Sequence, residues 1–291
     1  MDRYPRLSQD ILEELSALGI TPQEDAPVHL LFSSAAPSPK SPLMRAHVQS
    51  SPLPAGALLR LSPHVLIVSP ELCFVQMAAV FPFARLILAG CELCGAYAIV
   101  GGELPGRTPL TSRAQLAAFI GLSEPISGIR AAQRAIPHVL DNAASPMEAK
   151  LALLLCLRHH LGGFGLPRPA LNEPFKLSRE ACRIYPHGNC RCDLYWPHIH
   201  HDLEYQGLDY HADEPTITRD AARQQALRAD GITVDVITYP QVADRAAFEV
   251  VALPLAKTLG HRLRIRLADH RARQEHLRAD LHISARYRQA A

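Results

Sequence analysis

The stretch RCDLYWPHIHHDLEYQG, residues 191–207, decides how the second half of the chain folds. It contains two runs of strand-forming residues, at about 191–196 and 202–206. The short segment between these runs is centred on His198 and Ile199 and is expected to turn the chain. The stretch is therefore predicted to be a β-hairpin.

The predicted hairpin brings acidic side chains together. Because side chains alternate along a strand, Asp202, Glu204 and Gln206 are expected to share one face. On the other strand Asp193 shares a face with Tyr195, and the turn places Asp193 directly across from Glu204. Directly paired residues have Cβ atoms about 5 Å apart, and two carboxylates at that distance repel unless a cation lies between them. The sequence therefore predicts a divalent cation held by Asp193 and Glu204.

Oxygen ligands of this kind suit Mg²⁺ or Mn²⁺ and predict the hydrolysis of a phosphodiester. Such an ion keeps waters for a phosphate oxygen and a nucleophile, polarises the phosphoryl group and lowers the pKa of a bound water. Glu148, in the first turn of the preceding predicted helix, would add a third carboxylate. It also fits a capping box with Ser145, in which the Glu148 side chain accepts a hydrogen bond from the Ser145 backbone N–H.

The segments around the hairpin predict a helix, three strands, a helix and a strand, in that order. The capping box at Ser145, with a proline at the first helical position, opens the first of these helices. A further helix follows and is expected to be disturbed at Pro254. The predicted bounds are about 145–160, 181–186, 191–196, 202–206, 217–229, 232–238 and 244–259.

The first half of the chain is predicted to be α+β, with short strands before helices. Ser69 provides an N-cap, and Pro70 and Glu71 follow it in the first helical turn. Residues 1–142 are expected to form an N-terminal domain without an assigned role, and residues 143–260 a second domain. The strands are predicted at about 28–32, 45–48 and 58–68, and the helices at about 8–19, 69–81, 83–99, 111–121 and 126–141.

Composition excludes several classes of protein. Of the 291 residues 48% are hydrophobic and 20% are charged, which excludes an intrinsically disordered chain. The sequence lacks a membrane-spanning apolar run and the apolar core of a signal peptide, so a cytoplasmic protein is expected. The seven cysteines are an odd number, and reduced thiols are expected rather than a disulfide framework.

The C-terminal segment, residues 261–291, is the basic part of the chain, with eight arginines against three acidic residues. It is predicted to be an Arg-rich helix that either binds phosphates or docks on the protein as a solvated terminal helix. The candidate nucleic-acid-binding residues are Arg262, Arg264, Arg266, Arg271 and Arg273.

The second half of the chain contains a set of motif residues: Asp193, Glu204-Tyr205-Gln206-Gly207, His211, Asp220, Arg223 and Gly231-Ile232-Thr233-Val234. With these residues, the segment 145–260 resembles the nuclease-like domain related to very-short-patch repair endonucleases, in the PD-(D/E)XK fold. The first half contains the segments MRAHVQS and LLRLSPHVLIVSPELCFVQMA. With them, residues 45–142 more weakly resemble the middle segment of actinobacterial abortive-infection-type proteins, in which a DNA-binding or antitoxin-like part precedes this domain.

The resemblance implies a restriction-endonuclease-like mixed sheet flanked by helices. It also implies a Mg²⁺-dependent DNA endonuclease in a bacterial defence, repair or toxin-antitoxin setting. Asp193 and Glu204 would hold the metal, and Gln206 would position the attacking water. The supporting residues would be Glu148, His211, Asp220 and Arg223.

One position keeps a second function open. Gln206 stands where the broad superfamily has Lys, and a glutamine can hydrogen-bond a water but adds no positive charge. The alternative is a catalytically inactive nucleic-acid-binding or antitoxin-like regulator that retains the fold; a metal-free protein-interaction module is a third option. DNA is the expected partner, no membrane is expected, and a homodimer or a partner protein stays open.

Other titratable residues fit ordinary roles as well as a site. Cys190 and Cys192, near several histidines, are spaced too closely for the usual zinc knuckle, so zinc is not expected. Asp220 and Arg223 also fit a surface pair one helical turn apart. His211 fits a solvated loop histidine equally well.

Overall fold

The computed structural model of the chain describes residues 9–33, 41–122, 126–207 and 214–283. Within these ranges the protein is a mixture of helices and small sheets, so the predicted fold class is confirmed. The helices are α1 (Gln9–Ala17), α2 (Pro70–Met77), α3 (Phe83–Leu93), α4 (Arg113–Leu122), α5 (Ile129–Ala135), α6 (Pro146–Cys156), α7 (Glu214–Ala229), α8 (Tyr239–Ala243), α9 (Arg245–Thr258) and α10 (His270–Asp280). The strands are β1 (Val28–Phe32), β2 (Met44–Val48), β3 (Leu58–Arg60), β4 (Leu66–Val68), β5 (Ala170–Lys176), β6 (Asn189–Trp196), β7 (His201–Gln206) and β8 (Thr233–Thr238).

The chain divides by its contacts into two compact units. The first comprises Met1–Val80 and Ala114–Arg134, and the second comprises Phe81–Arg113 and Ala135–Ala291. The predicted boundary after residue 142 differs from this division, because α3 groups with the C-terminal part of the chain. None of the helices in the described ranges is long and apolar enough to cross a membrane.

The first unit contains two small sheets. β1 pairs in parallel with β2, and β3 pairs antiparallel with β4. Helix α2 begins where predicted, since the Oγ atom of Ser69 accepts a hydrogen bond from the Leu72 N–H at 3.3 Å. The predicted helix at 126–141 is shorter, because Pro137 lacks the N–H that an α-helix needs. A 3₁₀ turn at Ile136–His138 therefore follows α5.

The second unit is built on a mixed four-stranded sheet with the order β5-β6-β7-β8. β5, β6 and β7 are antiparallel, and β8 runs parallel to β7. Helix α6 precedes the sheet and α7 connects β7 to β8. The order is therefore helix, three strands, helix, strand, as the sequence predicts.

The predicted position of the first of these strands is wrong. That strand is β5, whereas the segment predicted as a strand at 181–186 contains a 3₁₀ turn at Ala181–Arg183. β5 is hard to recognise because Pro174 cannot donate to a ladder and Asn172 has a positive φ of 51°. Its place at the edge of the sheet tolerates both residues.

Helix α7 covers one face of this sheet. Its residues Ala226 and Leu227 pack in a buried cluster with Cys192, Tyr195 and Val234 of the strands. Side chains three and four positions apart lie on the same side of a helix. Arg223, one turn before Ala226, is therefore carried toward the same face of the sheet.

The C-terminal helix is shorter than predicted. It is α10, so residues 261–269 of the segment predicted as helical precede it. α10 packs against the loop after α6, where a β-carbon on Gly162 would collide with the Arg273 carbonyl group. The Nε2 atom of buried His270 lies 3.1 Å from the Gly163 carbonyl oxygen. Close packing of this kind fixes α10 on the second unit.

Candidate active site on the four-stranded sheet

Four acidic side chains from α6, β6 and β7 form a cluster, the carboxylate cluster, in which Asp193 is half-buried and the other three are buried: Glu148, Asp193, Asp202 and Glu204. Asp202 is fully buried and Glu204 is 2% exposed. Glu204 raises the pKa values of the other three members, so their charges interact. One guanidinium, that of Arg223 on α7, forms an ion pair within the cluster.

The β6–β7 hairpin has the register that the predicted turn requires. Tyr195 pairs with Asp202, and Leu194 pairs with Leu203. The connection is a 3₁₀ turn at Pro197–Ile199. The ladder ends at the Leu194–Leu203 pair, one pair short of the predicted pairing between the acidic residues of the two strands.

Asp193 lies at an irregular point of β6. The ladder to β5 includes the residues on both sides of Asp193 but skips the pair of Asp193 with Asn172. Cys192 and Tyr195 pack in the same cluster, so the alternation of side chains is broken between them. As a result the Asp193 carboxylate points back to β7, where its Oδ2 atom accepts the Tyr205 N–H at 2.9 Å. This N–H belongs to the residue next to Glu204.

Glu204 is held by Arg223. The guanidinium donates to both carboxylate oxygens, with a distance of 2.6 Å between Nη1 and Oε1. It also donates to the Arg191 carbonyl oxygen at 3.0 Å. Burial lowers the pKa of Arg223. The bonds to Glu204 and the charges of Asp193 and Asp220 raise this pKa by more than burial lowers it, so the pKa lies above the ordinary value of an arginine. The positive charge beside Glu204 in the structure is therefore a guanidinium, whereas the sequence predicts a divalent metal ion there.

Glu148 has the capping role that the sequence left open as an alternative. Its Oε2 atom accepts the Ala144 N–H at 2.8 Å, and its Oε1 atom accepts the Ser145 hydroxyl at 2.9 Å. Ser145 in turn accepts the Glu148 N–H at 3.2 Å. Burial raises the pKa of Glu148, the bond from Ala144 lowers it in part, and the charge of Glu204 raises it again.

Asp202 is the member of the cluster that the sequence reasoning did not single out as a site residue. Among the described residues neither of its oxygens has a hydrogen-bond partner at ordinary distance and angle. Burial and then the neighbouring Glu204 raise the pKa of Asp202 to about 9, although the Cys192 thiol is near enough to lower this pKa slightly. Burial and Glu204 also raise the pKa of Asp193 well above its usual range. An acid two positions before Glu204, on the same face of the strand, was the available signal.

The remaining predicted residues are not members of the carboxylate cluster. Gln206 ends β7 with an exposed side chain. Asp220 is half-buried on α7, one turn before Arg223. His211 lies outside the described residues. Arg271 and Arg273 form ion pairs with Glu275 and Asp269 along α10.

The donor set of the cluster fits a hard divalent cation in chemistry and in charge. All its members offer oxygen, which Mg²⁺ prefers, and in the described part of the chain the ion pair with Arg223 is the one that these four carboxyl groups make with an arginine. Among the described residues both oxygens of Asp202 lack a hydrogen-bond partner at ordinary distance, and Oδ2 of Asp193 accepts the Tyr205 N–H. In this conformation the oxygens of Glu204 are engaged, and no group of three or more His, Cys, Asp or Glu in the described ranges is arranged to hold a metal.

Comparisons with known proteins add a distant likeness. No protein-family model matches the chain, and no solved structure matches it. The chain is 32% identical over 117 residues to an uncharacterized protein of Mycobacterium tuberculosis, found in two strains of that organism. The match covers 40% of this chain and 38% of the relative. This chain therefore spans well under half the length of the curated relatives that it resembles.

Proposed function

We propose that the second unit is a Mg²⁺- or Mn²⁺-dependent DNA endonuclease. The observation that carries the proposal is the excess of buried carboxylates over cations at one point of the sheet. A buried charge without a partner is costly. The excess negative charge must be neutralised. Protons on the carboxyl groups can do this, as the raised pKa values of Asp193 and Asp202 indicate, and so can a bound cation that displaces those protons. The mixed sheet flanked by helices is the fold that the nuclease resemblance implies, and it supports the same function.

The residues of the candidate site would have separate roles in hydrolysis. A bound ion would polarise the scissile phosphoryl group and lower the pKa of a water. Asp193 and Asp202 would offer the carboxylate oxygens that hold it. Arg223 keeps the Glu204 side chain in one place, and Gln206, at the exposed end of β7, would hydrogen-bond the attacking water.

A second candidate is a nucleic-acid-binding regulator that keeps the fold without the chemistry. The specific observation in its favour is the ion pair of Arg223 with both oxygens of Glu204. This pair occupies one of the two predicted metal ligands. Gln206 adds to it, since an amide supplies no positive charge for the scissile phosphate.

Nicking of supercoiled plasmid in Mg²⁺ and in EDTA distinguishes the two candidates. The endonuclease proposal predicts nicking in Mg²⁺ only, and its loss in the Asp193→Asn variant, because a neutral amide is a poor ligand for a hard cation. The matched control is Glu180→Gln, which neutralises an exposed acid of the same unit. DNA binding without nicking by the wild-type protein would favour the regulator, and nicking that persists in Asp193→Asn would end the endonuclease proposal at this site.

A further inference from the structure

A basic cavity lies in the second unit between the loop after α6 and the segment before α10. Its volume is about 440 Å³. Its lining includes four arginines, Arg158, Arg262, Arg264 and Arg266, together with three histidines. No acidic residue is part of this lining. We refer to it as the arginine cavity.

Three of these arginines come from one short segment, HRLRIRL at residues 261–267, which is neither helix nor strand. Arg262, Arg264 and Arg266 alternate with Leu263 and Ile265, and only the arginines of these five residues line the cavity. In an extended chain, side chains two positions apart lie on one side with a spacing of about 6.6 Å. The alternation of the lining residues fits such a spacing, and it places three exposed arginines along the cavity.

One wall of the cavity is held against α10. Arg273 of α10 donates to the carbonyl oxygen of His160, a lining residue, at 2.9 Å. The Nε2 atom of His159 lies 3.0 Å from the Phe164 carbonyl oxygen, and α10 approaches Gly162 closely. The loop that carries Arg158 is thus fixed beside α10, the helix that follows the arginine segment.

The charges of the cavity are not neutralised within the described part of the chain. None of its four arginines forms an ion pair with a carboxylate there, whereas Arg271 and Arg273 of the adjoining helix both do. Like charges held together without a partner disfavour the fold, and an anionic ligand relieves this cost. Guanidinium groups match phosphate oxygens in geometry and stay charged at any physiological pH.

We propose that the arginine cavity binds the phosphate backbone of a nucleic-acid strand. Three arginines along the cavity fit a chain of phosphates better than a single anion, and the exposed position leaves room for a strand to continue past the cavity. That the phosphates belong to nucleic acid rests on the proposed function. The site differs from the predicted arginine set, because Arg271 and Arg273 are ion-paired and Arg158 takes part.

The test is fluorescence anisotropy with a labelled oligonucleotide, single-stranded or duplex, measured in EDTA over a series of salt concentrations. The variant is Arg262→Gln, Arg264→Gln and Arg266→Gln combined. The control combines Arg130→Gln, Arg134→Gln and Arg179→Gln, three exposed arginines outside the cavity with the same change in net charge. We expect about tenfold weaker binding or more for the variant, and a salt slope lower by about 2 to 3, since each lost phosphate contact removes about 0.7 to 0.9 from that slope. The control should keep both values near those of the wild-type protein.

Equal binding by the variant and the control would overturn the proposal. It would also be overturned if the variant lost binding to phosphatidylserine vesicles while its binding to the oligonucleotide stayed unchanged. Because EDTA removes divalent ions, the outcome does not depend on the carboxylate cluster. The two proposals can therefore fail separately. If the wild-type protein does not nick DNA but the triple variant loses oligonucleotide binding, the endonuclease proposal is refuted and phosphate binding by the arginine cavity is supported.

Discussion

Arg223 on α7 donates to both carboxylate oxygens of Glu204 on β7, and the Glu204 side chain is only 3% exposed in this pair. The pair joins the helix that covers the sheet to the strand that carries two of the four clustered acids. It engages both oxygens of Glu204, whereas the oxygens of Asp202 have no hydrogen-bond partner at ordinary distance among the described residues. The stability of the second unit and the chemistry of the cluster therefore depend on the same guanidinium.

Removing this guanidinium should destabilise the protein strongly. We expect Arg223→Met to lower the free energy of unfolding by about 3 to 5 kcal/mol, because it leaves the buried charge of Glu204 without a partner. Urea denaturation followed by circular dichroism measures the change. The double variant Arg223→Met/Glu204→Gln should recover part of the loss, since it removes the orphaned charge.

The control for this variant is Arg245→Met. Arg245 pairs with Glu249 along α9, but both side chains are partly exposed. A pair of this kind contributes about 1 kcal/mol or less. If Arg223→Met and Arg245→Met lose similar amounts of unfolding free energy, the burial of the Arg223–Glu204 pair adds nothing to stability.

The metal-free protein should become less stable as the pH rises from about 4 to about 9. The pKa of Asp202 is about 9 in the folded state, whereas an aspartate in the unfolded chain has a value near 3.9. Between these values the folded state binds more protons than the unfolded state, so stability falls with increasing pH. Asp193 and Glu148 act in the same direction, because their pKa values are also raised.

Thermal denaturation in EDTA at several pH values measures this dependence. Asp202→Asn removes one of the three groups and should make the decline of the melting temperature with pH shallower. A decline that is equally steep in Asp202→Asn and in the wild-type protein would show that Asp202 is already ionised in the folded state.

The loop after α6 packs closely against the end of that helix, and Gly163 in this loop has no room for a side chain. A β-carbon on Gly163 would collide with the Leu157 carbonyl group and with the Leu157 Cβ atom. We expect Gly163→Ala to cost about 1 to 3 kcal/mol of unfolding free energy, as overpacking does. Chemical denaturation of the two proteins provides the comparison.

Gly121→Ala serves as the control, because a β-carbon on this exposed helical glycine would meet nothing within 4 Å. That substitution should be neutral or stabilising by up to about 1 kcal/mol, since alanine favours a helix over glycine. Unchanged stability in Gly163→Ala would mean that the loop moves away at no cost.

Local signals in the sequence were sufficient for the register of the hairpin and for the strands of the four-stranded sheet other than the first. The turn at 198–199 predicts the pairing of Tyr195 with Asp202, because a turn fixes the register of the strands that it joins. The same local reasoning failed for β5. Asn172 and Pro174 disfavour a strand, and only the neighbouring β6 makes this segment one.

The sequence predicts that acidic residues form the candidate site, but it does not predict how their side chains are arranged. Asp193 and Glu204 stand out as acids in strands, yet the break of alternation at Asp193 depends on pairing with β5 and β7. Arg223 was expected to pair with Asp220 or to support the site. Its bond to Glu204 arises from the packing of α7 on the sheet, which brings together residues far apart in the chain.

The central claim is that the oxygens of the carboxylate cluster bind a divalent cation. Calorimetric titration of Mg²⁺ or Mn²⁺ into the protein tests it most directly, with the Asp193→Asn/Asp202→Asn double variant as the comparison. We predict saturable binding by the wild-type protein that tightens as the pH rises, because the ion must displace protons from raised carboxyl groups, and no binding by the double variant. Absence of binding by the wild-type protein, or equal binding by the double variant, would contradict the claim.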